Sequence, residues 1–163
     1  ISTSVEDIKA ALSSNIDSVW IYYAWDGIAC ELQGLDTNFF YFKDYSPELD
    51  DYSPVIIANN DFLKNNSGVA KKFMAALSKG YDYAIENPDD AAQILVDANE
   101  GLDIELCKKS QNWLASQYKA DADKWGVIDQ KRWDAFYGWV YDNGLCEIDI
   151  PDGFGFSNDY LPE

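Results

Sequence analysis

The chain has 163 residues, which is room for one ordinary domain or for part of a larger one. Twelve basic residues against 29 acidic ones give a formal net charge of -17, a polyanion that repels phosphate backbones and anionic membrane surfaces, so nucleic acid is not an expected partner. There is no histidine, which excludes from this chain Ser-His-Asp and Cys-His nucleophile systems, imidazole acid-base chemistry and His-ligated zinc.

The first element is a helix: Ser4 stands as N-cap ahead of Glu6 and Asp7, close to a capping box, and Val5, Ile8 and Leu12 fall at helical spacing. Ser18-Val19-Trp20-Ile21-Tyr22-Tyr23 is β-branched and aromatic on both faces, the composition of a strand buried inside a mixed sheet. Asp26 is placed to cap a short helix through Ile28, Cys30 and Leu32 that Gly34 stops. Phe39 to Phe42 and Val55 to Ala58 are two further short strand candidates, separated by a polar, Pro-bearing connection from Lys43 to Pro54. Asn59-Asn60-Asp61 then opens a helix.

From Asn66 onward the pattern is helical almost to the end. Ser67 caps a long helix whose expected apolar stripe is Val69, Phe73, Leu77, Tyr81 and Ala84. Pro88 ends it and begins the next, Asp89 to Ala98. A third helix spans about Asp103 to Tyr118 with Leu106, Cys107, Trp113 and Leu114 on its stripe. Asp129 caps a fourth, carrying Trp133, Phe136, Tyr137, Val140 and Tyr141, which stops at Asn143-Gly144. A few strands followed by a helical block make the fold class α/β, with fewer strands than a freestanding α/β domain needs.

Cys30, Cys107 and Cys146 are widely spaced and odd in number, so CxxC metal and thioredoxin-type sites are absent; three buried thiols are favoured over one disulfide and a free thiol. No apolar run approaches the roughly twenty residues of a spanning helix, and no secretory signal pattern is present. The chain starts at Ile1 rather than Met, so it is expected to be a processed or excised piece.

The densest candidate for chemistry is Trp20 to Gly27, running off a strand end into a helix start, where α/β proteins place ligands. Flat faces from Tyr22, Tyr23 and Trp25 can sandwich a planar heterocycle while Asp26 accepts from an exocyclic amine or ring nitrogen. On composition alone, packing is the favoured role for these rings, since most aromatic clusters are cores. The acid pairs Asp50-Asp51, Asp89-Asp90 and Asp121 with Asp123 are expected to be solvated loop or helix-start carboxylates, and none fits a calcium loop. The aromatic set from Trp113 to Trp139 has the spacing of a helical core rather than of a sugar-stacking surface.

The order of Pro54-Val55-Ile56-Ile57-Ala58-Asn59, Val69 to Leu77 leading to Gly80-Tyr81-Asp82-Tyr83-Ala84-Ile85, Asn87-Pro88-Asp89-Asp90-Ala91-Ala92, Gln111 to Leu114, Trp125 to Ile128 and Trp133 to Tyr137 resembles the C-terminal half of solute-binding proteins of ABC importers. The branch it is most similar to binds thiamine-pyrimidine precursors, hydroxymethylpyrimidine or formylaminopyrimidine, and is related to the fungal pyrimidine synthases; the tail Phe156 to Pro162 resembles the end of such proteins. The resemblance implies the type II periplasmic-binding-protein fold, in which two α/β lobes close on a ligand. This chain then holds the end of the second lobe (residues 1–44), a hinge crossing (residues 45–54) and the C-terminal part of the first lobe (residues 55–163).

Carried over by position, the Tyr-Tyr-x-Trp-acid run of the family falls on Tyr22, Tyr23, Trp25 and Asp26 and implies stacking on a pyrimidine with a carboxylate on its amino group. Relatives often carry Glu at the place of Asp26, whose reach is about one methylene shorter. The resemblance turns the balance for this cluster from packing to ligand contact. It further implies an extracytoplasmic protein, periplasmic or lipid-anchored, a membrane permease as partner, and neither a cofactor, a metal nor catalysis. The orphan strands predict self-association of the half-chain through a second copy. Two alternatives stand beside this expectation. One is a pyrimidine-synthase-like enzyme, weakened by the absence of histidine, and the other is a carbohydrate-binding or glycosidase module, motivated only by Trp and acid content.

Overall fold

The computed structural model describes residues 8–14 and 16–163. The cap expected at Ser4 lies outside them. Helices α1 (Ile8–Leu12), α2 (Ile28–Leu32), α3 (Asn60–Asn65), α4 (Ser67–Glu86), α5 (Pro88–Ala98), α6 (Ile104–Ala115) and α7 (Gln130–Asp142) carry most of the regular structure. A π-helical turn, Tyr23–Gly27, leads directly into α2, and two short 3-10 turns occupy Phe42–Asp44 and Pro47–Leu49.

The helix starts follow the sequence closely because side-chain oxygens satisfy the first free amides. Asn59 accepts from the amides of Asp61 at 2.8 Å and Phe62 at 3.3 Å. Asp103 accepts from Leu106 at 2.8 Å, and Asp129 from Arg132 at 2.9 Å. Pro88 is the first residue of α5, where its missing N–H costs nothing. Asp26, expected to cap α2, instead sits inside the π turn, and Gly27 occupies the N-cap position without a side-chain bond.

The strand expectations require correction. Among the described residues there is no strand, and the segments 18–23, 39–42 and 55–58 pair with nothing in a ladder. β-branched and aromatic composition records a fit to neighbouring strands, and a segment without such neighbours does not form a sheet on its own propensity. The first candidate runs irregularly into the π turn, the second ends in a 3-10 turn, and the third stays exposed along its whole length, with Ile57 at 88%.

The chain divides into two compact units, Ile1–Phe39 with Asp82–Ala120, and Phe40–Tyr81 with Asp121–Glu163, the division falling inside α4. In the first unit α5 packs along α6, and α6 also meets α2 and the π turn. Ala92, Cys107, Ser110, Ile28 and Cys30 are buried there. Gln111 donates to the Ala84 carbonyl at 3.0 Å, Asn112 to Asp89 at 2.6 Å, and Lys119 pairs with Asp82 at 2.9 Å, tying α6 and the segment that follows it to the end of α4 and the start of α5.

In the second unit the buried Trp133 of α7 is the centre. Its indole N–H donates to the Phe154 carbonyl at 2.9 Å, and its ring meets Tyr137 and Phe156 at centroid distances of 4.6 and 5.3 Å. The tail is fastened by Asn158, which bonds both the N–H and the C=O of Ile128, and by Lys124 on the Pro162 carbonyl. Tyr81 stacks on Trp125 at 4.2 Å. The stripe expected for α4 is met in part: Leu77, Tyr81 and Ala84 are half-buried, whereas Val69 and Phe73 are more than half exposed and Ala70 and Ser78 are buried instead.

All three cysteines are free; Cys30 and Cys107 are buried and Cys146 only half so. Among the described residues no helix is long and apolar enough to cross a membrane, and no group of three acids or thiols gathers as a metal site.

Candidate functional site

Successive side chains of an extended backbone point to opposite sides, and this alternation sorts the aromatic run. Trp20 and Tyr22 are exposed, at 65% and 55%, whereas Val19, Ile21 and Tyr23 are half-buried. The Trp20 and Tyr22 rings lie 4.9 Å apart at an interplanar angle of 58°, forming a two-ring surface on one side of the chain. Tyr22 itself is extended, with φ -92° and ψ 113°.

Immediately after it the backbone turns. The amides of Trp25 and Asp26 both donate to the Tyr22 carbonyl, at 3.0 and 2.9 Å, and the Asp26 carboxylate accepts from the Tyr22 amide at 3.3 Å. Tyr22 and Asp26 are thereby locked to each other through the main chain. Trp25 remains 40% exposed beside them. Asp26 also acts inward: burial, and then the nearby Asp26 charge, hold the Cys30 thiol protonated to higher pH than an ordinary thiol.

Tyr23 faces the other way. Its ring meets Phe39 at 4.8 Å and Trp113 of α6 at 5.1 Å, and its hydroxyl donates to Glu31 Oε1 of α2 at 2.6 Å. Gly27 is buried against it, and a Cβ at that position would stand 2.5 Å from Tyr23 Cδ2. Of the four candidate residues, Tyr22, Trp25 and Asp26 thus belong to one accessible constellation, and Tyr23 lies behind it. Trp20, part of the aromatic run but outside the candidate set, joins the accessible side. The alternation of positions 20 and 22 is the sequence signal that identifies it. Glu31 had no such signal.

A separate recess of about 40 Å³ lies in the second unit, lined by Asp51, Tyr52, Arg132, Trp133, Phe136 and Tyr137. That accommodates a few waters and no heterocycle. Its cation is already engaged: Arg132 donates from Nε to the Asp50 carbonyl and from Nη2 to the Asp51 carbonyl, pairs with the Asp50 carboxylate at 3.1 Å, and lies 4.2 Å over the Tyr52 ring.

A binder of small solutes is the class that an aromatic surface with an adjoining carboxylate suits. The family model described as NMT1/THI5 like matches residues 1–91, more than half of the chain and including the whole of the Tyr22–Asp26 run, and the chain belongs to that family, whose fold is like that of the periplasmic binding proteins. Among individual proteins, the formylaminopyrimidine-binding protein of Halalkalibacterium halodurans is 29% identical over 113 residues, which is 66% of this chain and 34% of that relative. The match therefore spans about a third of the relative's own length. The resemblance read from the residues holds at the level of the family.

Proposed function

We propose that the protein is the extracytoplasmic solute-binding component of an ABC importer, taking up a small planar, amine-bearing heterocycle such as a thiamine-pyrimidine precursor. The observation that carries this is the family match running through Tyr22, Tyr23, Trp25 and Asp26, joined by the relative whose name states that it binds formylaminopyrimidine. Binding, not catalysis, is the activity, in keeping with a relative named as a binding protein and with a chain that has no histidine.

In this reading Tyr22, Tyr23, Trp25 and Asp26 build one wall of the site, with Tyr23 behind the other three. The exposed rings supply π faces for the pyrimidine, and Asp26, anchored on the Tyr22 amide, keeps a carboxylate for its amino group. The complete protein is an α/β binding protein of type II, with residues 1–44 ending one lobe, residues 45–54 crossing between lobes and residues 55–163 completing the other. Its closed form is what a membrane permease engages, and the acidic surface does not repel an uncharged or cationic ligand. A lipid anchor or a periplasmic location fits the same role.

The test is calorimetric titration of the intact protein with formylaminopyrimidine. Trp25→Ala is expected to weaken binding by about 1 kcal/mol or more, the scale of one aromatic contact. Unchanged affinity in that variant rejects the site, and no binding by the native protein rejects the ligand class.

A further inference from the structure

We infer that Tyr23 is a positioning residue of this site: its hydrogen bond to Glu31 clasps the π turn that presents Trp25 and Asp26. The inference rests on the ligand reading above and separates the role of Tyr23 from that of its neighbours. A π turn closes wider hydrogen-bonded rings than an α-helix and is rarely stable without help from its surroundings. Here the turn, Tyr23–Gly27, begins at Tyr23 and feeds straight into α2, which carries Glu31. The 2.6 Å bond from the Tyr23 hydroxyl to Glu31 Oε1 therefore spans the whole turn, from its first residue to the last turn of the helix that follows.

Three contacts keep the hydroxyl aimed. Phe39 and Trp113 hold the ring at 4.8 and 5.1 Å, and the bare Cα of Gly27 lets the ring lie against the turn's own backbone. An ionised acceptor makes this a charge-assisted bond, stronger than a neutral one. Its effect reaches the ligand side through the Tyr22 carbonyl, which receives the amides of both Trp25 and Asp26. Fixing the turn before ligand arrives removes an ordering cost from binding.

Amide hydrogen exchange at Trp25 and Asp26, measured together with formylaminopyrimidine titration, decides the matter. Tyr23→Phe keeps the ring and deletes only the hydroxyl, Glu31→Ala deletes the acceptor, and Glu31→Gln keeps an acceptor oxygen. Exchange at the two amides is expected to rise about fivefold to tenfold in Tyr23→Phe and in Glu31→Ala, with no further rise in the double variant. Glu31→Gln, which keeps an acceptor but loses its charge, should raise exchange by less than either deletion, amides of α5 should not change, and ligand affinity should fall about fivefold in the first two variants. Unaltered exchange at Trp25 and Asp26, an equal rise throughout the unit, or faster exchange with undiminished affinity overturns the assignment. If the native protein binds no formylaminopyrimidine, the ligand reading fails, and the exchange rates still show whether Tyr23 sets the turn.

Discussion

At position 27 there is no space for a methyl group, because the Tyr23 ring occupies it, and this one hydrogen-sized allowance is what permits an aromatic turn to be tight. The same unit buries two thiols. Cys30 and Cys107 are both shifted upward, first by burial and then by the charges of Asp26 and Asp103 respectively. The folded protein thus keeps these protons to higher pH than the unfolded chain does. Stability is fully present below the ordinary thiol value of 9.0 and is lost as pH climbs through the raised values. Tyr83, raised above 10.0 chiefly by its hydrogen bond to Asp90, acts in the same direction at still higher pH. The melting temperature is expected to be level from about pH 7 to 8 and to fall above about 9. Cys30→Ala with Cys107→Ala should flatten the first part of that fall, and scanning calorimetry across the pH series measures it. An equally steep decline without the thiols would assign it to other groups.

Among the elements, caps were legible and ladders were not. Asn59, Asp103 and Asp129 announce their helices because a cap is a local bond between a side chain and an amide two or three residues on. A strand, by contrast, is a relation between segments, and Val55 to Ala58 has no ladder partner among the described residues. The face of α4 is legible only in part: periodicity counts large apolar residues and finds Leu77, Tyr81 and Ala84, which are half-buried, but it passes over the buried Ala70 and Ser78 and includes the exposed Val69 and Phe73. Elements also depend on long-range fastenings invisible in sequence, and Arg132 is one. From the first turn of α7 it holds two carbonyls and a carboxylate of Asp50–Asp51. Lysine cannot reproduce a planar fork of donors. Arg132→Lys is expected to lower stability by about 1–2 kcal/mol and Arg132→Ala by about 2–3 kcal/mol, read from the denaturant midpoint. A lysine variant as stable as the native protein would reduce the contact to simple charge pairing.

For the molecule as a whole, the order of short motifs carried the family where composition could not. Charge and the missing histidines only removed candidates, while the run from Tyr22 to Asp26 is the candidate heterocycle site, and its four residues differ in exposure. Trp20 and Glu31 are tied to the proposed site by alternation and by a hydrogen bond between residues eight apart, the first readable in sequence and the second only in three dimensions. The match to the relative spans about a third of that protein's length.

Residues 53–58 are exposed throughout, with no main-chain hydrogen bond to another backbone group among the described residues. A peptidase must thread several consecutive residues through its cleft with their amides and carbonyls free, and a helix has to unwind before it can comply. Here nothing needs unwinding. Brief digestion with an elastase, which cuts after small and β-branched residues, should therefore sever the chain first between Val55 and Ala58, and mass spectrometry of the earliest fragments reads the position. Resistance there, with first cuts elsewhere, would mean that the segment is covered in solution.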